Sequence, residues 1–556
     1  MHYNLFPSTK PSAVPTIHLS ISPTMMPSRS FPPSVSISPT ITVMDQREIL
    51  AHFYISANGD SWLKNFHWLQ PLDHECDWYG IRCDMFGQVS GIVLSGNALS
   101  GSIDSCISLL SNLKKLELMS NDFTSSIPSE IGMLQTLEIL NLSRNYDLTS
   151  TIPTELSNLA SLQSLDLSYT DLTGPIPREI GNISTMALMH ISHTMISSSI
   201  PAELGMLQRL EYLFLNANYL SGTIPTELGK DASLKFLSIG DNIISGTLPS
   251  EIGSFESLKH FDAPYNYLSG VLPTEIGNMG GRSSLRSFQV GHNNLVGTIP
   301  TEMGSLASLT TLNLAYNQLS GNLPTEQGRM QALEYIILHA NNLNGPIPSE
   351  LGLLEALDTI ITNYNDFTGI LPTELGQLHS LRSLFLGRHI GGTLPSELGI
   401  CKSLQYIWLN GNSISGTIPT EFGLLKSPMM RLWLDANSLT GTIPSELGLN
   451  ASLLSLHLSK NSLTGSLPSE LGMLKSLEKI QVNENYLTST VPSQLGDAMA
   501  LISLRVDNND LTGSLPNELC LLSDGFLLKD MSADCEEIHC PCCSHCCIDD
   551  VECAVV

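Results

Sequence analysis

One unit of about twenty-four residues recurs along most of this chain. Each copy reads Leu-x-x-Leu-x-Leu-x-x-Asn and is followed by Gly-x-Ile-Pro-x-Glu-Leu-Gly, and about eighteen copies run from Ile92 to beyond Pro516. A unit of this size cannot bury its own apolar face, so neighbouring units must stack and share one continuous core. The sequence therefore predicts a single solenoid with a cap at each end.

The two leucines that flank one residue in each copy, such as Leu116 and Leu118, alternate at the period of a strand. Each copy should contribute one short parallel strand with its leucines inward. The asparagine that follows is predicted to be an interior amide that satisfies backbone groups of the turn. Thr170, Thr194 and His389 occupy that position in three copies, and His389 fits it poorly.

The second half of each copy predicts a turn and a short helix. Glycines such as Gly174 and Gly222 lie where a turn needs positive φ, and the following proline cannot donate a hydrogen bond. Ser or Thr then precedes Glu, as in Thr226-Glu227. We interpret that pair as a helix cap followed by an anion favoured by the dipole of a short helix or 3₁₀ turn.

The Gly-x-Ile-Pro-x-x-Leu-Gly-x-Leu copies resemble those of the plant-type leucine-rich repeat family, which includes receptor-kinase ectodomains and polygalacturonase-inhibiting proteins. The resemblance covers roughly Asp45 to Cys520. It implies an α/β leucine-rich repeat solenoid, a right-handed curved coil with a parallel β-sheet on the concave face and short 3₁₀ or helical turns on the convex face. We expect a stalk over 1–44, an N-terminal cap over 45–90, the repeat array over 91–519 and a Cys-rich C-terminal cap over 520–556.

The N-terminal cap should begin with a helix. Asp45 followed by Glu48 is a capping pair, and the apolar face of the helix is predicted to comprise Ile49, Leu50, Phe53 and Tyr54. The next segment resembles the N-terminal cap of the family, in which the pair corresponding to Cys76 and Cys83 is a disulfide.

Eight cysteines follow the array, and an even set of this size allows four disulfides in 105 pairings. They are Cys520, Cys535, Cys540, Cys542, Cys543, Cys546, Cys547 and Cys553. A zinc site that combines these thiolates with His539 or His545 is the alternative. We expect disulfides and no metal, because the N-terminal cap already implies an oxidising compartment.

The first 44 residues are rich in Pro, Ser and Thr with little charge, which predicts a disordered or polyproline-like stalk. Neither a signal peptide nor a transmembrane stretch is visible in the sequence. Since the cysteines indicate an oxidising compartment, we expect an extracellular or cell-surface protein whose signal or anchor is missing upstream.

The net charge of −27 excludes nucleic acid as the main partner. Much of this charge is periodic, because one glutamate recurs per copy, as in Glu130, Glu155 and Glu179. We interpret these glutamates as a solvated row along one flank. The alternative is a row that collects divalent cations such as Ca²⁺, which would suit a structural adhesive or matrix protein. Three sequons, at Asn141, Asn182 and Asn450, are predicted N-glycosylation acceptors.

Residues between and beside the strand leucines should project from the concave face, and equal positions in successive copies should form columns. One such column holds large aromatic side chains in three consecutive copies, with arginines beside them. The sequence predicts that the two tryptophans of this column stand exposed, neighbour to neighbour. Aromatic and arginine side chains are typical interface anchors, and stacked rings also suit sugar faces or a peptide. The predicted ligand-binding residues are Phe385, Arg388, Tyr406, Trp408, Arg431, Trp433 and Asp435.

A second patch of aromatic residues and histidines lies nearer the N-terminus. Its predicted members are Tyr169, His190, His193, Tyr212 and Phe214, with Phe236, His260 and Tyr265 close by. Asp166, His190 and Ser192 resemble a hydrolytic set, but an open sheet offers no oxyanion hole. We therefore predict no catalytic residue and no cofactor. The predicted function is non-catalytic recognition of a protein, peptide or glycan on the concave face.

Overall fold

The computed structural model describes residues 44–230, 233–280, 285–425, 429–524, 528–534, 537–548 and 551–555. The chain divides into two units, Met1–Met44 and Asp45–Val556. The predicted stalk falls almost entirely outside the described residues. The repeat array and both of its caps lie in the second unit.

A 22-stranded sheet runs the length of this unit. Its strands pair in chain order and are parallel, except that the first and last pairs are antiparallel. The strands are Ile81–Cys83, Val89–Val93, Lys115–Glu117, Ile139–Asn141, Ser164–Asp166, Leu188–His190, Tyr212–Phe214, Phe236–Ser238, His260–Asp262, Ser287–Gln289, Thr311–Asn313, Tyr335–Ile337, Thr359–Ile361, Ser383–Phe385, Tyr406–Trp408, Arg431–Trp433, Ser455–His457, Lys479–Gln481, Ser503–Arg505, Asp530–Asp534, His545–Ile548 and Val551–Val555.

Most of these strands have three residues, of which the middle one is buried. The middle residues, such as Leu213 and Leu312, are fully buried and form the shared core. The first and third residues project from the open side of the sheet, which we call the concave face. The predicted solenoid with a parallel sheet is confirmed.

The asparagines form a ladder beneath the sheet. Asn317 donates from Nδ2 to the carbonyl oxygens of Val290 (3.0 Å) and Leu314 (3.1 Å), and its Oδ1 accepts from the backbone N of Leu295 at 3.0 Å. Because Val290 and Leu295 belong to the preceding repeat, each amide joins two neighbouring repeats. The predicted interior role of asparagine is confirmed.

His389 takes no such role. Its ring is 64% exposed and lies 3.9 Å from Asp366, so the asparagine ladder is interrupted in this repeat. The repeat is also one residue shorter than its neighbours. Ile390 follows His389 directly, whereas in the other repeats one residue separates the asparagine from the next apolar residue.

Short strands on a second side of the solenoid were not predicted. They pair in parallel between successive repeats and follow the asparagine, at the Leu-x-Gly segment. These strands are Ser100–Gly101, Asp122–Phe123, Thr149–Thr151, Asp171–Gly174, Met195–Ser199, Tyr219–Ser221, Ser245–Thr247, Tyr267–Val271, Asn294–Gly297, Gln318–Asn322, Asn342–Gly345, Asp366–Phe367, Ser415–Gly416, Ser438–Gly441, Ser462–Gly465, Tyr486–Ser489, Asp510–Leu511, Gly513–Ser514 and Ile538–His539.

Each repeat then contains a 3₁₀ turn, as predicted. The turns are Ser105–Leu109, Ser129–Met133, Thr154–Asn158, Arg178–Asn182, Ala202–Met206, Thr226–Lys230, Ser250–Ser254, Thr274–Asn278, Thr301–Ser305, Thr325–Arg329, Ser349–Leu353, Thr373–Gln377, Ser396–Ile400, Thr420–Leu424, Ser445–Leu449, Ser469–Met473 and Ser493–Asp497; two more, Gly59–Ser61 and Glu75–Asp77, lie in the N-terminal cap.

The predicted Ser/Thr cap of these turns is wrong. The capping position is occupied by proline, as at Pro300, and no side chain caps the turn there. The next residue, Thr301, is already inside the turn, and its hydroxyl donates to the carboxylate of Glu302 at 3.2 Å. Proline suits the start of a helix because its missing N–H needs no partner there.

Each repeat contains two glycines that are required for different structural reasons. Gly222 has φ of 75°, as predicted for the turn after the strand. Gly205, at the end of the 3₁₀ turn, has no room for a side chain, because a Cβ atom would overlap the carbonyl oxygen of Glu227 in the next repeat. This second glycine therefore allows adjacent turns to pack backbone against backbone.

The N-terminal cap contains helix α1, Gln46–Ser56, and its predicted capping box between Asp45 and Glu48 is confirmed. The predicted apolar face of α1 is buried. Cys76 and Cys83 form a disulfide.

At the other end, helix α2, Asn517–Asp524, replaces the 3₁₀ turn. Among the described cysteines of this cap, Cys520 of α2 is bonded to Cys542, and Cys540 is bonded to Cys543. The side chains of Cys535, Cys546, Cys547 and Cys553 lie outside the described part of the structure. Among the described residues no group of His, Cys, Asp and Glu is arranged to hold a metal ion. No helix in those ranges is long and apolar enough to cross a bilayer.

Candidate functional site

Four aromatic rings stack along the third strand position of consecutive repeats. Phe385 and Trp408 have centroids 4.2 Å apart, Trp408 and Trp433 4.4 Å apart, and Trp433 and His457 4.8 Å apart, with interplanar angles of 16°, 4° and 7°. The strands pair in register, so equal positions lie one above another at a spacing close to that of stacked rings. We call these four residues the tryptophan stack.

This geometry corrects one part of the sequence interpretation. Both tryptophans were expected to stand exposed and to offer ring faces to a sugar or peptide. In the structure the four side chains are half-buried, and both faces of Trp408 and of Trp433 are covered by neighbouring rings. A ligand therefore meets the ring edges, which carry the positive part of the aromatic quadrupole.

A pocket of about 350 Å³ opens beside the tryptophan stack. Phe385, Trp408 and Trp433 line it together with Tyr364 and Arg388. The Arg388 guanidinium lies 5.5 Å from the ring centroid of Tyr364. Gly387 and Gly411 also line the pocket.

The remaining predicted ligand-binding residues surround this pocket without lining it. The hydroxyl of Tyr406 lies 3.2 Å from Sδ of Met430, and the Arg431 guanidinium lies 6.0 Å from the ring centroid of Trp433. Asp435 is half-buried, and burial raises the pKa of its carboxyl group. Of the seven predicted residues, four therefore line the pocket and three lie around it. The lining residues are Phe385, Arg388, Trp408 and Trp433, and the others are Tyr406, Arg431 and Asp435.

His457 belongs to the tryptophan stack but was missed at the sequence level. Burial lowers the pKa of His457 to about 4, and the cations Lys479 and Arg431 contribute to that shift. At neutral pH the ring is therefore uncharged and acts as a fourth aromatic side chain. Its place in the column directly after Trp433 was the signal that could have found it.

The predicted second patch separates into distinct groups. Tyr212, Phe236 and His260 stack at the first strand position, with centroids 5.2 Å and 4.2 Å apart; we call these three the tyrosine stack. His190 meets the edge of Phe214 at the third position, with centroids 5.2 Å apart.

The other residues of the second patch lie on the border of the concave face, just before the position of the asparagine or of the threonine that replaces it, where the backbone takes positive φ. Tyr169 stacks on His193 there at 4.3 Å, and Tyr265, His292 and Tyr316 stack further along at 4.0 Å. The spacing of the repeats therefore stacks rings in more than one column.

Asp166, His190 and Ser192 do lie together. His190 Nδ1 is 3.5 Å from the Asp166 carboxylate, and Nε2 is 2.7 Å from the Ser192 hydroxyl. Ser192 is only 1% exposed, however, so its hydroxyl cannot reach a substrate. The same bond occurs in the two preceding repeats, where Ser143 and Ser168 donate to Asn141 and Asp166 at 2.7 Å. This hydrogen bond is a structural feature of the repeat.

The recurring glutamates lie in the 3₁₀ turns and form a row along one flank of the solenoid. Most of them accept a hydrogen bond from the Ser or Thr before them, as in Thr226 to Glu227 at 3.2 Å, whereas Glu179 follows Arg178 and accepts from its guanidinium. Backbone hydrogen bonding at Glu227 and the Thr226 hydroxyl lower the pKa of this carboxyl group.

The three predicted glycosylation sites differ in accessibility. Asn182 is exposed at the end of its 3₁₀ turn, and Asn141 is half-buried on the concave face. Asn450 is only 5% exposed, and its Nδ2 atom is enclosed without a hydrogen-bond partner. The prediction for Asn450 is therefore wrong for the folded chain, because a glycan needs that nitrogen at the surface.

Comparison with known proteins agrees with this geometry. Leucine-rich repeat family models match residues 111–172 and, as single repeats, residues 209–230, 233–255, 308–330, 403–425 and 452–474. The fold and its asparagine ladder define a leucine-rich repeat solenoid of the type found in plant receptors. The matched repeats are leucine-rich repeats, and the fold is that of plant leucine-rich repeat ectodomains.

Among curated proteins of Arabidopsis thaliana, MDIS1-interacting receptor like kinase 1 is 35% identical over 79 residues, which are 14% of this chain and 8% of that protein. Receptor-like protein 6 is 40% identical over 89 residues, which are 15% of this chain and 9% of that protein. The matches thus span less than a tenth of either relative.

Solved structures match over a longer range. The leucine-rich repeat ectodomain of the Arabidopsis thaliana receptor kinase GASSHO1/SCHENGEN3, in complex with CASPARIAN STRIP INTEGRITY FACTOR 2, has a TM-score of 0.75 and 29% identity, and the match covers 88% of this chain and 62% of that one. The plant peptide hormone receptor RGFR1, in complex with RGF2, has a TM-score of 0.71 and 28% identity, with 83% and 84% of the two chains covered.

Proposed function

We propose that this protein is a non-catalytic recognition module that binds an extended peptide segment of a protein or peptide partner on its concave face. The tryptophan stack and its pocket are the main anchoring point. The observation that carries the proposal is the pocket itself, a cavity of about 350 Å³ that is lined by three rings of the tryptophan stack and by the Arg388 and Tyr364 pair.

The geometry favours a peptide over a glycan. Sugars stack on aromatic faces, but the faces of Trp408 and Trp433 are covered by other rings. Exposed ring edges instead attract carbonyl oxygens and the faces of further aromatic rings. A peptide supplies carbonyl oxygens as well as aromatic rings, and the pocket of about 350 Å³ has room for an apolar side chain of the peptide.

The solved neighbours support the same class of ligand. One is a plant peptide hormone receptor in complex with RGF2, and the other is a receptor-kinase ectodomain in complex with CASPARIAN STRIP INTEGRITY FACTOR 2. The disulfides of both caps also suit an extracellular or cell-surface location, because such bonds persist in oxidising compartments.

The test is a selection of random twelve-residue peptides displayed on phage against the full chain, run beside a glycan array. We expect peptides with aromatic or large apolar residues to be enriched, and their binding to be lost in the double variant Trp408→Ala and Trp433→Ala. The matched control is Ile337→Ala and Ile361→Ala, in the same column but outside the stack. Enrichment of glycans alone, or peptide binding that survives the tryptophan double variant, would contradict the proposal.

Adhesion through the glutamate row is the competing function. It predicts self-association that rises with Ca²⁺, is reversed by a chelator and is unaffected by the tryptophan double variant. Light scattering of the full chain in Ca²⁺ and in chelator separates the two functions.

A further inference from the structure

A line of positive charge runs beside the tyrosine stack. Lys235, Lys259 and Arg286 each lie immediately before a strand of the long sheet, in three consecutive repeats. Lys259 N donates to Lys235 O at 2.8 Å, and Arg286 N donates to Lys259 O at 2.7 Å, so the three residues occupy equivalent positions. We call them the basic tract.

Where this column places a cation beside an anion of the adjacent repeat, the two are paired. Lys114 lies 3.3 Å from Glu138, Lys235 lies 2.6 Å from Glu211, and Arg382 pairs with Asp358. Lys259 and Arg286 differ, since in the described ranges neither has a carboxylate within ion-pair distance. Two unpaired cations in adjacent repeats are unusual for a chain with a net charge of −27.

Adjacent like charges are unfavourable. Two cations about 5 Å apart repel each other by about 0.8 kcal/mol in water before salt screening. The nearby carboxylate of Asp262 accepts from Ser287 Oγ at 3.3 Å and from Gln289 Nε2 at 3.2 Å, so its hydrogen bonds go to neutral groups. An anionic ligand would relieve this repulsion.

The tract adjoins an aromatic surface. His260 follows Lys259 directly and stacks on Phe236 at 4.2 Å. Burial lowers the pKa of His260, and Arg286 and Lys259 lower it further, so the ring is neutral at neutral pH. Exposed Arg286 and half-buried Lys259 thus stand beside an uncharged aromatic edge.

The distance to the tryptophan stack sets the length of the ligand. Paired strands connect His260 to Ser383 through five steps in the long sheet. At about 4.8 Å per step this separation is about 24 Å, which an extended peptide spans with about seven residues.

We infer that the basic tract binds a carboxylate side chain of the peptide ligand, about seven residues from the side chain that enters the pocket at the tryptophan stack. This inference rests on the proposed function and assigns the ligand an acidic residue at one end and an apolar anchor at the other. The overall negative charge of the protein does not prevent such binding, because charges further away than about 8 Å are screened at physiological ionic strength.

The test uses the same selection of random twelve-residue peptides on the full chain. We expect enriched peptides to carry Asp or Glu six to eight positions from an aromatic or leucine residue. Their affinity should fall at least ~10-fold in the double variant Lys259→Glu and Arg286→Glu. The matched control is Lys115→Glu with Lys402→Glu, which changes the net charge equally at two exposed cations outside the tract. Thermal melting of all variants checks folding.

The outcomes separate this inference from the proposed function. Peptides that carry an apolar anchor without an acidic residue would support the proposed function and overturn this inference. Acidic peptides whose affinity is unchanged by the tract variant, or reduced equally by the control, would also overturn it. Failure to enrich any peptide would overturn the proposed function itself. Binding of polygalacturonate in place of peptides, lost in the tract variant, would overturn the assignment of a peptide carboxylate.

Discussion

The tryptophan stack and the tyrosine stack are built on the same sheet by the same repeat, yet they present different surfaces. The tryptophan stack borders a pocket, and His457 extends its aromatic column. The tyrosine stack is shorter and adjoins two unpaired cations, Lys259 and Arg286. The strands pair in register in both regions, so the surfaces differ mainly in the side chains placed on them. One region suits an apolar anchor and the other an anion.

The two regions also differ beneath the surface. The asparagine ladder is continuous under the tyrosine stack, where Asn266 joins the repeat of His260 to the preceding one. Under the tryptophan stack it is interrupted at His389, in the shortened repeat that also contributes Gly387 and Arg388 to the pocket. The pocket therefore lies where the repeat departs from its own pattern.

The largest expected effect concerns this ladder. Asn266→Ala removes bonds to Ile239 O (3.0 Å), Pro264 O (3.2 Å) and Ile244 N (2.9 Å). It leaves the buried Ile244 N–H unpaired, whereas Ile239 O keeps its bond from Asn242 Nδ2 and Pro264 O keeps its bond from Asp241 N. We expect a loss of about 3 kcal/mol in the free energy of unfolding. His389→Ala should cost less than about 0.5 kcal/mol, because its side chain is exposed. Urea denaturation followed by circular dichroism measures both. Equal losses would show that His389 supports its repeat as asparagine does elsewhere.

The next effect compares the central rings. Trp408→Ala removes contacts to rings on both sides, so peptide affinity should fall about 100-fold, or about 2.7 kcal/mol. Phe236→Ala removes the centre of the tyrosine stack, where the cations remain, and should reduce affinity only about 10-fold. Titration calorimetry with a selected peptide measures both variants, and Ile337→Ala serves as the control. A larger loss for Phe236→Ala would reverse the assignment of the main anchor.

How much of this comparison could be predicted depends on what each residue contacts. The core leucines and the asparagines were predictable, since each meets a requirement of its own repeat or of the one next to it. The columns were predictable because equal positions of successive repeats lie one above another. This placed Phe385, Trp408 and Trp433 side by side in the sequence prediction. The orientation of the rings was not, because it depends on side-chain packing between repeats. The covered ring faces and the half-burial of both tryptophans result from that packing.

Other features needed the three-dimensional structure. The Ser/Thr cap was wrong because proline takes the capping position and moves the hydroxyl one residue into the turn, as at Thr301. The basic tract was overlooked because Lys235, Lys259 and Arg286 are far apart in sequence and become neighbours only when strands are aligned. The pairing of Cys520 with Cys542 also had no signature in the spacing of the cysteines.

Ionic strength should affect the two regions unequally. Raising NaCl from about 50 mM to about 500 mM shortens the screening length several-fold and should weaken peptide binding about 5-fold through the basic tract. In the Lys259→Glu and Arg286→Glu variant this dependence should vanish or change sign, since the cations are gone. In the Trp408→Ala variant it should persist. Titrations at several salt concentrations measure the slope. A slope lost with Trp408 but kept without the cations would place the charge recognition in the pocket.

The smallest expected effect is a dependence of stability on pH at His457. Its pKa is about 4 in the folded chain and about 6.5 when unfolded, so the unfolded chain binds the additional proton. The stabilisation is fully present above pH 6.5 and is lost as the pH falls towards 4, by on the order of 1 kcal/mol after allowance for solvent screening. His457→Phe keeps an aromatic ring in the stack and should remove this part of the dependence. Melting temperatures of both proteins between pH 4 and 8 measure it. Identical pH profiles would show that His457 does not control the stability of the tryptophan stack.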